Sequence, residues 1–561
     1  MDIQEFIQTL NNKIIPLDEM EPVVLGLYCY KQMSDKLEYY MNKVLLKREY
    51  VEELFDEELW IELKAGENGE CIEEDIKIAD DIKIEFRDIN KTKYAQEYPK
   101  IKVFTKNYLR YFIEPDYLFS ELIYKLNRKQ EVFDDLKNAL NDLSEQLVMF
   151  TEIFNAIEEE NLSLDKFNIF QNINLKIFED EKEILYDLML NMHSLNSERS
   201  SESEIIADYE SIQEYFRKKS FKTTPNNTTS KSISQIIAKL VAPQIKKEYV
   251  EIYDPAFGIG STFIEILKQT DNLSKNSIPT LSTYSTPVVI SGGVTIYANE
   301  INQATYNQAI MNMIIHNIPF YDFDITNTDT IENPVKYNRS FKIITSDIPL
   351  GLRYDGDIDK LSKDNRYKEY GKLPKRNADY FFILDMLYNL SDNGTIVTTI
   401  TPGTLFAQGV ETELRKQLIE KNYVDAIIQL APKTNHNTNI SPIILIMKKQ
   451  RKTKDILFID ASKEYEKQGH NHVLSDENIS KIIDTYFNRK QIDKFSYIAG
   501  IDEIKANNYN LAIKLYVDTF EEDEIDIEIT KNELQQVQNQ IKSNDKKIEE
   551  FFKDKENIFL I

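Results

Sequence analysis

The residues best suited to chemistry begin with one short run, Tyr253-Asp254-Pro255-Ala256-Phe257-Gly258-Ile259-Gly260-Ser261, set between an apolar stretch and a helix-forming one. Two glycines one residue apart let the backbone turn sharply and come close to a ligand. The helix that follows offers unpaired N–H groups at its start. The chain has 15 glycines in 561 residues, so a pair in one turn is informative. Alone, a G-x-G turn is common to many strand-to-helix connections. Glu300 adds to it, because it ends the apolar run TIYANE. Doubly wound nucleotide sites place there an acid that accepts hydrogen bonds from ribose hydroxyls. The 40 residues from Gly260 to Glu300 exceed the usual ~20, and the polar segment SKNSIPTLSTYSTPVVISGG reads as an insertion. Asp329, in NTDTI, and Ser346-Asp347-Ile348-Pro349-Leu350-Gly351, after FKIIT, come next. Four such positions at successive strand ends lie on the edge of the sheet where open α/β folds bind ligands.

Elements must hold these positions. From about residue 233, apolar strand candidates at 249–254, 295–300, 341–347, 394–401, 424–432 and 441–449 alternate with helical stretches such as TFIEILKQ and ADYFFILDMLYNL. That alternation predicts an α/β domain with a mostly parallel sheet. Residues 1–200 carry apolar residues at helical spacing, are acidic and are nearly free of glycine. Polar stretches at 193–204 and 223–232 read as linkers or surface loops. After about 460 the chain reads as polar and helical. Near its end Leu534, Val537, Ile541, Asn544, Ile548 and Phe551 are spaced 3, 4, 3, 4, 3, an a/d seam with one polar position. It fits a helix docking on a partner or an amphipathic helix packed on its own domain.

Composition sets limits. The chain has 68 Lys+Arg against 94 Asp+Glu, a net charge of −26. A surface that grips phosphates all over is excluded, because that grip comes from basic residues; any DNA contact is local or shared. Residues 360–376 are such a place. They hold seven basic residues against two acids, with Tyr354, Tyr367 and Tyr370 nearby. Lys363, Arg366, Lys368, Lys372, Lys375 and Arg376 are the expected phosphate contacts. A second basic run, Lys448 to Lys454, reads rather as a solvated strand exit. Two cysteines, Cys29 and Cys71, exclude a disulfide scaffold and fit a reducing cytoplasm. No metal-ligand spacing is formed by His316, His436, His470 or His472, so no metal is expected. No signal peptide is visible, and no apolar run approaches the ~18 residues of a membrane span.

In order and spacing the motifs resemble the modification subunits of type I restriction-modification systems, an N6-adenine-specific DNA methyltransferase family. The glycine run resembles the family's D-P-x-C-G-S-G motif, and Tyr297-Ala298-Asn299-Glu300-Ile301 with Asn312-Met313 its G-x-E … M-N-M segment. Asp329-Thr330 resembles D-T-L, and Thr401-Pro402-Gly403-Thr404-Leu405-Phe406 with Glu411 and Arg415 resembles P-x-G-x-L-F … E … R. Phe458-Ile459-Asp460-Ala461-Ser462, Asn508-Tyr509-Asn510-Leu511, Ile113-Glu114-Pro115-Asp116 and Phe119-Ser120 resemble further landmarks.

The resemblance implies a Rossmann-like class I methyltransferase domain at 201–460, a helical N-terminal domain at 1–200 and a C-terminal region at 461–561 with a partner-docking helix. It implies S-adenosylmethionine held by Asp254, Ala256, Gly258, Gly260, Glu300 and Asp329, together with Phe221, Thr224 and Pro225 near an F-Y-T-P-like segment. The target adenine would be flipped from double-stranded DNA onto Asp347, Ile348, Pro349 and Leu350, where the family has N-P-P-F. Asp347 can accept a hydrogen bond as the amide does. Leu350 replaces an aromatic ring whose stacking on the base is worth about 1–3 kcal/mol. Two readings therefore stand: a working adenine methyltransferase subunit, and a degenerate methyltransferase fold serving as a DNA-binding scaffold. The implied partners are a specificity subunit, a second modification subunit and, as a further candidate, a restriction subunit, all in the cytoplasm and without a membrane.

Overall fold

A computed structural model describes residues 1–10, 15–41, 111–158, 170, 173–195, 201–220, 229–245, 249–270, 293–319, 322–337, 339–375, 377–434, 440–468, 471–518 and 527–556, with scattered residues between 102 and 109. Residues 1–517 form one compact unit and residues 518–561 a second.

The first unit opens with helices α1 (Ile3–Leu10), α2 (Leu17–Tyr40), α3 (Phe119–Asn127), α4 (Phe133–Glu158), α5 (Lys182–Ser194) and α6 (Glu202–Ser220). In α2, Val23, Val24, Leu25, Leu27, Tyr28, Cys29 and Tyr30 are fully buried, the expected fate of a helix whose middle is apolar on every side. Helix α7 (Lys231–Ile245) leads into β1 (Val250–Asp254), α8 (Ser261–Gln269), β2 (Val294–Glu300), α9 (Gln303–Ile315), β3 (Phe323–Asn327) and β4 (Phe341–Ser346). Then come α10 (Ile358–Leu361), α11 (Asp379–Asn389), β5 (Leu390–Ile400), α12 (Val410–Glu420), β6 (Val424–Leu430), β7 (Ile443–Lys448) and β8 (Ile456–Ala461). A hairpin of β9 (Glu466–Gln468) and β10 (Asn471–Val473), α13 (Asp476–Phe487), β11 (Ser496–Ala499) and α14 (Ile501–Ala506) complete it.

Nine strands form one sheet in the order β11-β8-β6-β7-β5-β4-β1-β2-β3. Strands β3, β2, β1, β4 and β5 run parallel, and β7 is antiparallel to both neighbours. The chain moves outward from β1 through β2 to β3, then returns to the other side of β1 with β4. That reversal opens a crevice at the carboxyl ends of β1 and β4. Successive strand residues face opposite ways, so Ile252 and Ile343 enter the core shared with the N-terminal helices, while Tyr253 and Ile344 enter the one under α11 and α12.

The expected strands are present within a few residues of their predicted ends. The expectation fails after residue 460, where the β9–β10 hairpin and β11 stand in a stretch read as helical. β11 pairs antiparallel with β8, Ser496 opposite Ile459. Four residues are too few to display a strand period, and β11 exists through its neighbour. The sheet-bearing unit therefore runs past the expected boundary at 460. In the second unit, α15 (Ile527–Glu556) leaves Leu534, Val537, Ile541 and Ile548 exposed. Among the described residues no helix is long and apolar enough to cross a membrane.

Candidate active site

The site starts where β1 ends. Asp254 is buried, and its Oδ1 accepts hydrogen bonds from the Ala256 amide at 3.0 Å and the Ser346 hydroxyl at 2.8 Å. Burial pushes this carboxyl up to about 7; the two hydrogen bonds oppose the rise, and the charges of Asp347 and Glu300 add to it. Next, Gly258 and Gly260 sit in the left-handed region, at φ +59° and +82°. A Cβ on Gly260 would stand 2.6 Å from Met313 Cε and 2.8 Å from Phe257 Cζ, whereas one on Gly258 would meet nothing within 4 Å. Gly260 thus serves close packing, and Gly258 presents bare backbone to open space.

Glu300 closes this turn from β2. Its Oε2 accepts from the Gly258 amide at 3.0 Å and its Oε1 from the Asn302 amide at 2.8 Å. Burial raises its pKa against these backbone bonds. The Phe257 amide donates to the Asn299 carbonyl at 2.9 Å, and Asn312 Nδ2 to the Ile259 carbonyl at 2.8 Å. Asp329 folds its own turn, with Oδ1 accepting from the Ile331 and Glu332 amides. Thr330 Oγ1 donates to the Pro255 carbonyl at 2.6 Å. The structure therefore joins Asp254, Ala256, Gly258, Gly260, Glu300 and the Asp329 turn into one hydrogen-bonded assembly.

Beside it, the parallel register of β4 and β5 sets Ser346 opposite Thr398, and the next residues, Asp347 and Thr399, meet. Thr399 Oγ1 donates to Asp347 Oδ1 at 2.5 Å. The Thr229 hydroxyl, just before α7, also lowers the pKa of the Asp347 carboxyl. Burial raises the Asp347 carboxyl, and these two hydroxyls pull against the rise. Ile348 is buried in the core under α11, and Pro349 and Leu350 are partly buried. A second carboxylate, Asp379 at the start of α11, is fully buried; its Oδ2 accepts from the Thr401 amide and from the Thr401 and Thr404 hydroxyls. Leu352 and Phe406 are exposed on the loops after β4 and β5. Thr229, Thr399 and Asp379 were not singled out from the sequence. For Thr399 the hydroxyl-rich run GTIVTTIT was a signal, since threonines that end a core strand need partners.

The basic loop divides. Lys363, Lys368, Lys372 and Lys375 are exposed. Arg366 corrects the expectation of a phosphate contact, because it is 4% exposed and its donors are engaged. Nη1 reaches the Thr330 carbonyl at 2.6 Å and Asp385 at 2.9 Å, and Nη2 the Ile331 carbonyl at 2.8 Å and Asp364 at 3.0 Å. It clamps the loop to the Asp329 turn. Tyr354, Tyr367 and Tyr370 are also buried. In the second basic run, Lys448 and Arg451 pair with Asp425. Phe221, Thr224, Pro225 and Arg376 lie outside the described residues. Among the described residues no group of three or more His, Cys, Asp or Glu side chains is placed to hold a metal ion.

The profile of the N-6 DNA Methylase family matches residues 202–525, more than half of the chain. The chain belongs to this family. The matched span runs from α6 to beyond β11, so one methylase unit carries both carboxylate groups and the whole sheet. This methylase is 29% identical over 462 residues to the type I restriction enzyme MpnII methylase subunit of Mycoplasma pneumoniae, across 79% of this chain and 82% of that one. It is 29% identical over 445 residues to the MjaVII methylase subunit of Methanocaldococcus jannaschii, across 76% and 70%. Its fold is similar to the crystal structure of a type I restriction-modification methyltransferase subunit from Streptococcus thermophilus. The TM-score is 0.73 at 24% identity, over 92% of this chain and 100% of that one.

Proposed function

We propose that this N-6 DNA methylase is the modification subunit of a type I restriction-modification system, methylating N6 of an adenine flipped out of duplex DNA. One observation carries the reading: the Gly258–Glu300 turn and the hydroxyl-held Asp347 open at the carboxyl ends of neighbouring strands around the switch point. The residues fit S-adenosylmethionine, because Gly258 presents bare backbone to open space and an acid stands beside it. When bound, S-adenosylmethionine supplies a methyl group, which the N6 lone pair takes as the C–S bond breaks and its electron pair stays on sulfur.

Glu300 would hold the ribose hydroxyls and Asp329 would face the adenine amine, with Phe221, Thr224 and Pro225 contributing from the preceding segment. Asp347 would accept the hydrogen bond of the target amine, with Ile348, Pro349 and Leu350 completing the wall. Orientation does most of the work here, as in other bimolecular transfers made effectively unimolecular. An oriented, hydrogen-bonded carboxylate at 347 favours transfer over a scaffold role. Lys363, Lys368, Lys372, Lys375 and Arg376 would meet phosphates beside the flipped base. A specificity subunit would choose the site, with the exposed stripe of α15 as its docking surface. A second modification subunit would share the complex, and a restriction subunit is a candidate third partner; all would work in the cytoplasm. Long-read methylation mapping in a host with and without the chain tests the reading. One adenine motif methylated only when the chain is present is expected, and no new motif despite co-expressed partners overturns it.

A further inference from the structure

We propose that Thr399 and Thr229 are positioning residues for Asp347, fixing the carboxylate so that its remaining lone pairs face the target amine. This rests on the adenine-methylating reading above and deepens it.

The two hydroxyls reach Asp347 from different parts of the chain. Thr399 is fully buried near the end of β5 and donates to Oδ1 at 2.5 Å. Its place is set by the β4–β5 register, in which Ser346 stands opposite Thr398. Thr229 comes from the polar stretch before α7. It is anchored by the next residue, because Ser230 Oγ accepts from the Ile233 amide at 3.3 Å and the Ser230 carbonyl from the Ser234 amide at 3.0 Å. The donor on buried β5 leaves the carboxylate little freedom to rotate, and the Thr229 hydroxyl acts on it from a second element. A carboxylate without them would turn toward whatever donor lay nearest.

The two hydroxyls also act on charge. Asp347 has one like charge close by: Asp254 at the end of β1, which accepts from the neighbouring Ser346 hydroxyl and whose carboxyl is raised by the Asp347 charge. Burial favours the neutral acid, and hydrogen bonds to the charged form favour the carboxylate. The ionised carboxylate is the stronger acceptor for an N–H donor, with shorter hydrogen bonds than the neutral acid. During transfer N6 gains a methyl carbon and, once the bond is formed, loses one proton. An ionised Asp347 hydrogen-bonded to that nitrogen is placed to receive it. Removing a hydroxyl should therefore do two separable things: loosen the acceptor, and move its ionisation to higher pH.

The test is steady-state methyl transfer to duplex DNA by the assembled complex, comparing wild type with Thr399→Val, Thr229→Val and the rescue Thr399→Ser. The valine variants should lose about tenfold to a hundredfold in kcat, the scale of a small misplacement. KM for S-adenosylmethionine should be unchanged, and the acid limb of the pH–rate profile should shift upward. Thr399→Ser should restore both rate and profile, because it returns the hydroxyl. Melting temperatures and S-adenosylmethionine titration establish that each variant is folded and loaded. Should Thr399→Val not fold, Thr229→Val, on a loop, carries the same prediction. Valine variants with wild-type kcat and pH profile overturn the positioning role while the methylating reading stands. Equal loss in the serine variant also overturns it, since a packing role would then explain the effect. A wild-type complex that binds S-adenosylmethionine and methylates no adenine overturns the methylating reading, and the positioning role with it.

Discussion

The two halves of the site hold their acids differently. On the β1–β2 side, Glu300 and Asp329 are held by backbone amides, mostly from residues two or three positions along the chain. On the β4–β5 side, side-chain hydroxyls from other elements dominate: Thr399 at Asp347, and Thr401 and Thr404 at Asp379, which also accepts from the Thr401 amide. Asp254 stands between them with one bond of each kind. An acid held by its own turn is built into the local sequence and recurs wherever that turn forms. An acid held by distant hydroxyls exists only when the sheet has closed in the right register.

The largest expected effect separates the halves directly. Asp347→Ala should lower methyl transfer by about 10²–10⁴-fold, the range for loss of a positioned acid–base group. Titration should find S-adenosylmethionine binding unchanged; weakened binding would mean the halves are not separable. Arg366→Met should then cost about 3–5 kcal/mol of stability, because it strands buried Asp385 without its partner. A melting curve like wild type would return Arg366 to the surface role expected from its sequence. Glu300→Ala should weaken S-adenosylmethionine binding by about 1.5–3 kcal/mol, the worth of hydrogen bonds to a charged group. The rate at saturation should hold, and a lost rate would erase the division of labour.

Asp254 gives a pH test. Burial pushes its carboxyl up to about 7 in the fold, against the ordinary 3.8. Between those values the folded chain holds a proton that the unfolded chain has released, so stability falls as pH rises through that window. Asp254→Asn keeps the oxygen that accepts from Ala256 and Ser346 and removes the titration. The melting temperature of the variant should fall less than that of wild type between pH about 4 and 7, and parallel curves would place the titration elsewhere. The smallest effect belongs to the exposed loop. Lys372→Ala should leave the melting temperature unchanged and reduce the salt slope of DNA binding by about 0.9, one phosphate contact. An unchanged slope would take Lys372 off the duplex.

Much of the fold was legible because it is written in alternation. Runs such as FKIIT and IILIM are long and apolar enough to be core strands by themselves. Strand β11 was not, because SYIA becomes a strand only by pairing with β8. Within the site, Gly258, Gly260, Glu300 and Asp329 could be read because turns and strand ends favour those residue types. Arg366 was misread for the same reason: among six other basic residues in a polar loop, nothing in the sequence distinguishes the one that turns inward.

The sequence by itself determined which acids stand at the strand ends and where the backbone can turn, since both depend on interactions a few residues long. Only the tertiary structure decided which hydroxyls reach Asp347 and where the Arg366 guanidinium goes. Those contacts join positions 52 and 36 residues apart. Their geometry is set by strand register and core packing, which no local run of residues specifies.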